Sequence, residues 1–370
     1  MKSAPPLRSN RFLAVACGVL LLVAAGACSR ESTGTTSSGP AASVGAGADN
    51  GVLVGADQPR SDSDFWSAYA GYLGPKAAAV GVKLDNTSSD NDSDRLKANV
   101  DTLLSKDVKA LIIAPQDTAA VKPAITAATA KHVPVISVDT RPDSGGAYMV
   151  VRADNRAYGT KSCIYLGETL KGAGKVVEFQ GDLSSINGRD RSEAFAQCMS
   201  TRYPGIKVIE IPTDWQGDRA VSGLQDKLLT DPDINGIYMQ AGGVFLQPTL
   251  ALLKRSGKLV KAGQPGHITI VSNDGIKAEL DAITAGDIDA TISQPADLYA
   301  QYATVYAKAA IDGKKFAPGP TDHGSTIIDT GVGGMLEDQL PAPVVTRNGG
   351  KVGELDTLPP TAPGLWGHGG

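Results

Sequence analysis

The sequence predicts an α/β protein with two parallel β-sheets, and three observations carry this prediction. From Gly51 onward, short apolar runs of strand length alternate with longer segments of helical period. Many of these runs are apolar throughout, which is typical of strands buried on both faces of a parallel sheet. After "PVISVD" the alternation stops and then begins again near Asp154, so we expect two doubly wound domains joined by a hinge.

The elements follow in order along the chain. The predicted strands are "VLVGAD", "VKLDN", "ALIIAP" and "PVISVD" in the first lobe, then "KVVEFQG", "KVIEIP", "GIYMQ", "ITIVSND" and "ATISQ" in the second. The predicted helices include residues 94–105, 118–131, 218–230 and 298–312. We assign residues 51–153 plus 295–323 to the N-terminal lobe, 154–294 plus 324–346 to the C-terminal lobe, and 347–370 to a Pro/Gly-rich tail. Three crossings between the lobes are expected, the third within "PGPTDHGSTIIDTGVGG".

The N-terminus has the pattern of an export signal. Lys2, Arg8 and Arg11 precede an apolar run at residues 12–25, which is too short to span a bilayer comfortably. The run ends in "AAGAC", and small residues before a single cysteine resemble a bacterial lipobox. The resemblance implies cleavage before Cys28 and a lipid on its sulfur. An ordinary secretory signal with a chance cysteine is the alternative.

A flexible linker is predicted directly after the signal. Residues 29–50 contain Ser, Thr, Gly and Ala but almost no large apolar side chain, so they cannot bury enough surface to fold. We expect an extracytoplasmic protein held to the cell membrane through its N-terminal lipid only. No other segment is long and apolar enough to cross a membrane.

Composition and motifs favour binding over catalysis. The net charge is −4 and the basic residues are scattered, so no nucleic-acid surface is predicted. The sequence contains no G-x-S-x-G, no Walker A loop and no zinc-like spacing of His and Cys. We therefore predict no catalytic residue, no metal and no cofactor.

Two cysteines remain after the leader, Cys163 and Cys198, each within a predicted helix. An even pair in an exported protein indicates a disulfide if the two helices are neighbours. Two buried free thiols are the alternative.

A series of residues at strand ends and crossings carries a resemblance to a known family. They are the aromatic pair Phe65 and Trp66 after the first strand, Asp139 after the fourth, "DN" at Asp154 and Asn155, Arg189 in "NGRDRSEAF", Trp215, Asp274 in "SNDG" and Gln294 in "TISQ". Because these residues occur in this order and spacing, the sequence resembles the periplasmic sugar-binding proteins of the ribose-binding type from about Gly51 to Thr346.

The resemblance implies a ligand cleft between the two lobes. Phe65, Trp66 and Trp215 would cover the apolar faces of a sugar-like ring. Its hydroxyl edge would bond to the charged and amide side chains, which are Asp139, Arg189, Asp274 and Gln294. Five of these residues have a simpler alternative: a hydrophobic plug for Phe65 and Trp66, turn or helix capping for the two aspartates, and a surface pair with Glu193 for Arg189.

Three departures from the family pattern concern the ligand. Ala114, Thr140 and Ala241 stand where the ribose-type pattern has polar residues. A ligand hydroxyl buried there without a partner would cost roughly 1–3 kcal/mol. The sequence therefore predicts a monosaccharide, deoxysugar or polyol, and makes ribose itself doubtful.

The expected role is a solute-binding lipoprotein that closes on its ligand and delivers it to the permease of an ABC importer. A sensor that presents its ligand to a membrane receptor is the alternative with the same fold. Trp366, in the Pro/Gly-rich tail, either docks on the body or is free.

Overall fold

The computed structural model describes residues 51–369, in which two eight-stranded sheets form the centres of two lobes. The predicted signal segment, Cys28 and the linker at residues 29–50 lie outside the described residues. The predicted α/β class is confirmed, with mostly parallel sheets in both lobes.

The first lobe begins with a doubly wound unit. Its elements are β1 (Val52–Gln58), α1 (Asp64–Ala79), β2 (Val82–Ser88), α2 (Ser93–Ser105), β3 (Leu111–Ile113), α3 (Lys122–Ala130), β4 (Val135–Val138) and β5 (Met149–Ala153). The strands run parallel in the order β2-β1-β3-β4-β5. Every residue of β3, β4 and β5 is buried, which explains why their sequences are nearly continuous apolar runs.

The second lobe repeats this arrangement. Its elements are α4 (Asn155–Thr169), β6 (Ala173–Gln180), α5 (Ile186–Arg202), β7 (Gly205–Pro212), α6 (Gly217–Thr230), β8 (Gly236–Met239), α7 (Gly242–Arg255), β9 (Thr269–Asp274), α8 (Lys277–Ala285) and β10 (Ala290–Ser293). The parallel order is β7-β6-β8-β9-β10, equivalent to that of the first lobe. The strands of both lobes present their carboxyl ends to the region between them.

The remaining elements are shared between the lobes. They are α9 (Ala296–Ile311), β11 (Gly319–Pro320), β12 (Thr326–Asp329), β13 (Leu336–Leu340), β14 (Val344–Thr346), β15 (Gly350–Val352), β16 (Leu355–Leu358) and a 3₁₀ turn (Trp366–His368). Helix α9 packs on α1 of the first lobe, and β13 pairs in parallel with β5. Strand β14 pairs with β10 of the second lobe. The chain therefore crosses between the lobes after β5, after β10 and after β13.

Two predicted boundaries are wrong. Residues 324–346 were assigned to the C-terminal lobe, but β12 and β13 extend the sheet of the first lobe, so the third crossing lies between β13 and β14. The buried Arg152 of β5 lies 3.6 Å from the carboxylate of Glu337 in β13, and this ion pair places charged residues inside the sheet. Residues 347–370 were assigned to a separate tail, but β15 and β16 extend the second sheet.

A disulfide joins the first two helices of the second lobe. It links Cys163 of α4 to Cys198 of α5, the pair predicted from the sequence, with the two Cα atoms 6.1 Å apart. The helices can approach this closely because Gly159 of α4 has no side chain. A Cβ at this position would lie only 2.2 Å from the carbonyl oxygen of Arg191. None of the helices within residues 51–369 has the length and hydrophobicity required to span a membrane.

Candidate functional site

A cavity of about 50 Å³ lies between the lobes, where the loops after the parallel strands meet. One water requires roughly 10–15 Å³ of such volume, so the cavity has room for several ligand atoms. Carboxyl ends of strands are where open α/β sheets bind their ligands. The predicted site residues that line the cavity are Phe65, Trp66, Asp139, Trp215, Asp274 and Gln294.

Asp139 brings a carboxylate to the cavity from the end of β4. Its Oδ2 accepts a hydrogen bond from Asn187 Nδ2 at 2.9 Å, and its Oδ1 accepts one from Gln294 Nε2 at 3.0 Å. Burial raises the pKa of Asp139, while the charges of Arg191 and Arg152 oppose this rise. Its backbone has φ 64°, a strained conformation for a non-glycine residue that costs about 1–3 kcal/mol and is often found at binding sites.

Arg191 of α5 is the buried cation of the cavity. Its guanidinium donates to Asn155 Oδ1 at 2.6 Å, to Gln294 Oε1 at 2.7 Å and to the carbonyl oxygen of Gln240. The guanidinium carbon also lies 5.0 Å from the ring centroid of Tyr158 and 5.7 Å from that of Trp215. These contacts fix the orientation of the planar group, so it is preorganised to donate to ligand oxygens.

Asp274 supplies the second carboxylate, from the end of β9. Its Oδ2 accepts a hydrogen bond from the backbone N–H of Gly243 at 2.8 Å. Burial raises the pKa of Asp274, and the nearby charge of Arg191 opposes the rise. A Cβ on Gly243 would lie 2.9 Å from Ser63 Oγ of the first lobe, so the lobes come close together at a residue that has no side chain.

Aromatic rings reach the cavity from both lobes. Phe65 and Trp66 open helix α1, and their ring centroids are 5.3 Å apart in an edge-to-face arrangement. Trp215 follows β7 with φ 56°, and its ring lies against Gly181, where a Cβ would be only 2.0 Å from the indole. Flat apolar surfaces therefore adjoin the charged groups on both sides of the cavity.

The structure does not bring Arg189 into the cavity, which corrects the sequence prediction. The guanidinium of Arg189 contacts the Asp143 carboxylate at 2.7 and 2.9 Å and Thr118 Oγ1 at 3.1 Å, at the edge of the interface between the lobes. Consecutive residues of an α-helix are rotated by about 100°, so Arg191 projects from a different face of α5 than Arg189 does. The cation that α5 brings to the cavity is Arg191, and the pairing of Arg189 with Glu193 is not observed either, because Glu193 pairs with Arg156.

The lobes are in contact around the cavity. Arg60 of the first lobe donates to the carbonyl oxygen of Trp215 at 2.9 Å, and Thr118 Oγ1 donates to the carbonyl oxygen of Ser184 at 3.2 Å. With the bond between Asn187 and Asp139, these contacts connect the two lobes directly. The structure is therefore a closed arrangement.

Residues 55–315 match the sequence profile of the periplasmic binding protein domain. The chain belongs to the periplasmic binding protein family. The predicted resemblance to periplasmic sugar-binding proteins is thus confirmed, and the two-lobed α/β fold is that of the family.

Several relatives of this chain are named for the small polyhydroxy compounds that they bind. The chain is 26% identical to the ribose import binding protein of Haemophilus influenzae, over 69% of this chain and 84% of that protein. It is 27% identical to the xylitol-binding protein of Mycolicibacterium smegmatis, over 66% of this chain and 68% of that protein. It also resembles a Mycobacterium smegmatis ABC transporter solute-binding protein with bound glycerol, with TM-score 0.67, 27% identity, and coverage of 72% of this chain and 90% of that one.

All three departures from the ribose-type pattern lie at the cavity. Ala114 and Ala241 present methyl groups to it, from opposite lobes. Thr140 lines it too, but its hydroxyl donates to the carbonyl oxygen of Pro115 at 2.9 Å. These three positions therefore provide less hydrogen bonding to a ligand than the ribose-type pattern does.

Sequence reasoning missed several polar residues that line the cavity. They are Arg60, Ser63, Gln116, Ser185, Asn187 and Arg191. The sequence did contain one signal for Arg191. Phe195 lies four residues later on the same face of α5, and a large apolar residue there indicates that this face points into the protein. Among the described residues, no cluster of three His, Cys, Asp or Glu side chains is arranged to hold a metal ion.

Proposed function

We propose that the protein is the solute-binding component of an ABC importer and captures a small polyhydroxy ligand by closing its lobes. The observation that carries this proposal is the cavity itself, where two buried carboxylates, one oriented guanidinium and aromatic faces meet. Charge-assisted hydrogen bonds are the strong kind for hydroxyl groups, and the rings suit apolar C–H surfaces. The names of the relatives support a sugar or polyol, and a binding role rather than a catalytic one.

The ligand we propose has fewer hydroxyl groups than ribose at the positions of Ala114, Thr140 and Ala241, or a different shape. Ala114 and Ala241 cannot bond a hydroxyl, and the Thr140 hydroxyl already donates to the backbone. A deoxysugar, or a polyol that places carbon rather than a hydroxyl at these positions, would avoid leaving a buried hydroxyl unpaired, which costs roughly 1–3 kcal/mol.

Closure follows from where the groups lie. Asp139 belongs to the first lobe, while Arg191 and Asp274 belong to the second. A ligand that bonds to all three stabilises the closed form over the open form, because it has its full set of partners only when the lobes meet. A permease that recognises the closed form would then select loaded protein.

Calorimetry with a panel of ligands tests this function. We expect at least one of xylitol, glycerol, deoxyribose, D-apiose and myo-inositol to bind with micromolar affinity, about 8 kcal/mol, and more tightly than ribose. Asp274→Ala should weaken that binding tenfold or more, because a charge-assisted bond contributes roughly 1.5–3 kcal/mol. The control is Asp226→Ala, which removes the same charge from the exposed face of α6 and should leave the affinity unchanged. Failure of every polyhydroxy compound to bind would rule out the proposed ligand class.

We further propose that Cys28 carries a lipid that holds this extracytoplasmic protein at the membrane. Two acyl chains give stable attachment where one is marginal. Cys28→Ala is expected to move the protein from the washed membrane fraction to the soluble fraction or to block its processing. Cys17→Ala, a cysteine within the apolar run, should leave the protein in the membrane fraction at its normal size. Normal processing and retention of Cys28→Ala would show that this cysteine is not the anchor.

A further inference from the structure

The C-terminal segment after β16 is fixed to the second lobe. Ala362 and Leu365 are buried in the apolar core of that lobe. Gly367 lies so close to the loop after β9 that a Cβ there would be 2.3 Å from the carbonyl oxygen of Gly275. The segment therefore moves with the second lobe as a unit. It also lies beyond residues 55–315, the part of the chain that matches the family profile.

Trp366, within this segment, reaches across to the first lobe. Its ring centroid lies 5.8 Å from that of Phe65 in an edge-to-face arrangement, and its carbonyl oxygen accepts a hydrogen bond from Tyr72 Oη at 3.2 Å. Phe65 and Tyr72 both belong to α1. Trp366 is buried, with 7% of its surface exposed, so this contact between the lobes excludes water.

The same indole also holds a ligand-site residue of the second lobe. Trp366 Nε1 donates to the carbonyl oxygen of Asp274 at 3.1 Å. Phe65 and Asp274 both line the cavity, on opposite lobes, whereas Trp366 does not line it. Trp366 therefore connects a residue on each side of the ligand site while lying outside the cavity itself.

We propose that Trp366 is a positioning residue that latches the lobes together and so raises the affinity of the site without touching the ligand. Because the segment is fixed to the second lobe, its contacts with α1 are made only in the closed form. A latch of this kind keeps part of the ligand-free protein closed, and apparent affinity rises with the fraction of protein that is competent to bind. The proposal rests on the cleft-binding function proposed above, and it adds a residue that controls the equilibrium between the open and closed forms.

An edge-to-face aromatic contact shifts an equilibrium by about two- to tenfold. Trp366→Ala removes the ring contact with Phe65 but keeps the backbone carbonyl that accepts from Tyr72, so we expect it to lower the closed-to-open ratio of the ligand-free protein by about two- to tenfold. Tyr72→Phe removes the hydrogen bond that α1 donates to the Trp366 carbonyl oxygen and should lower the ratio by about two- to fivefold. The two variants act from opposite lobes, so a shared direction of change is specific to the contact between them.

The test measures the separation of the lobes directly. Spin labels on cysteines introduced at Thr126 of α3 and Ser222 of α6, both exposed, report the distance between the lobes by double electron–electron resonance. The full chain is used in detergent, without ligand, and the chain without introduced cysteines gives the background. Leu224→Ala is the matched control, because it removes a fully buried side chain of the second lobe away from α1 and should lower the melting temperature without changing the distances.

Two results would overturn the latch. The first is a distance distribution of the ligand-free wild type with no short-distance population. The second is a closed-to-open ratio in Trp366→Ala that differs from wild type by less than twofold, or that changes equally in Leu224→Ala. If Trp366→Ala does not fold, Tyr72→Phe decides by the same measurement. Since no ligand is present, a wrong ligand class would not affect this result, and loss of the latch would not alter which compounds bind.

Discussion

Replacing Arg191 by alanine is expected to weaken ligand binding by at least a hundredfold. Arg191 is the buried cation beside the carboxylates of Asp139 and Asp274, and its charge lowers the pKa of both against the effect of burial. Truncating one partner of a buried, hydrogen-bonded charge set in a binding site typically costs about 2–5 kcal/mol or more of binding free energy, because the remaining charges lose their compensation. At roughly 1.4 kcal/mol per decade, the middle of this range exceeds a hundredfold in affinity. The measurement is calorimetry with the tightest compound of the ligand panel.

Arg189→Ala provides the matched control for this prediction. It removes the same side chain type from the same helix, but the lost contacts are a partly exposed ion pair with Asp143, a bond to Thr118 and bonds to two backbone carbonyl oxygens at the surface. Such pairs are worth about 0–1 kcal/mol, so we expect a change of no more than about fivefold. A larger loss of affinity for Arg189→Ala than for Arg191→Ala would show that Arg189, and not Arg191, is the cation that binds the ligand. Thermal melts of both variants separate loss of binding from loss of fold.

The two arginines illustrate what a sequence pattern can and cannot locate. The motif "NGRDRSEAF" predicted that α5 brings a cation to the ligand, and the structure places one there. Which of two arginines faces the cavity depends on the rotation of the helix about its axis. That rotation is set by packing against α4, where Gly159 approaches the backbone of Arg191. This contact joins residues far apart in sequence, so the motif alone does not reveal it.

The third crossing was misplaced for a different reason. The earlier strands are apolar, and their alternation with helices predicted both sheets. Strand β13 reads "LEDQL", and its Glu337 and Asp338 are buried inside the sheet. Glu337 is paired with Arg152, while Asp338 accepts hydrogen bonds from Tyr306 and Ser325. Buried charge that is satisfied by distant partners removes the apolar signal from which strands are predicted.

Loss of the disulfide is expected to lower the free energy of unfolding by about 3–4 kcal/mol. Cys163 and Cys198 are separated by 35 residues, and closing a loop of this length restricts the unfolded chain by about that amount in the chain-entropy model. The variant is Cys163→Ala with Cys198→Ala, and the measurement is urea unfolding followed by circular dichroism. Wild type unfolded in reductant is the control, and it should reach the same midpoint as the double variant if the cross-link, rather than packing, is responsible. Recovery of both cysteines as free thiols by mass mapping would show that the bond does not form.

The same double variant should bind ligand with an affinity within about threefold of wild type. Helices α4 and α5 carry Asn155 and Arg191, which hydrogen bond to each other at 2.6 Å in the site. Their relative position is also held by Gly159, where the backbones are too close to admit a Cβ, and by buried side chains such as Phe195. The cross-link acts mainly on the unfolded state, so its removal changes how much protein is folded more than the geometry of the folded site. A large loss of affinity together with an unchanged urea midpoint would mean the opposite: that the disulfide orients Arg191 and contributes little to stability.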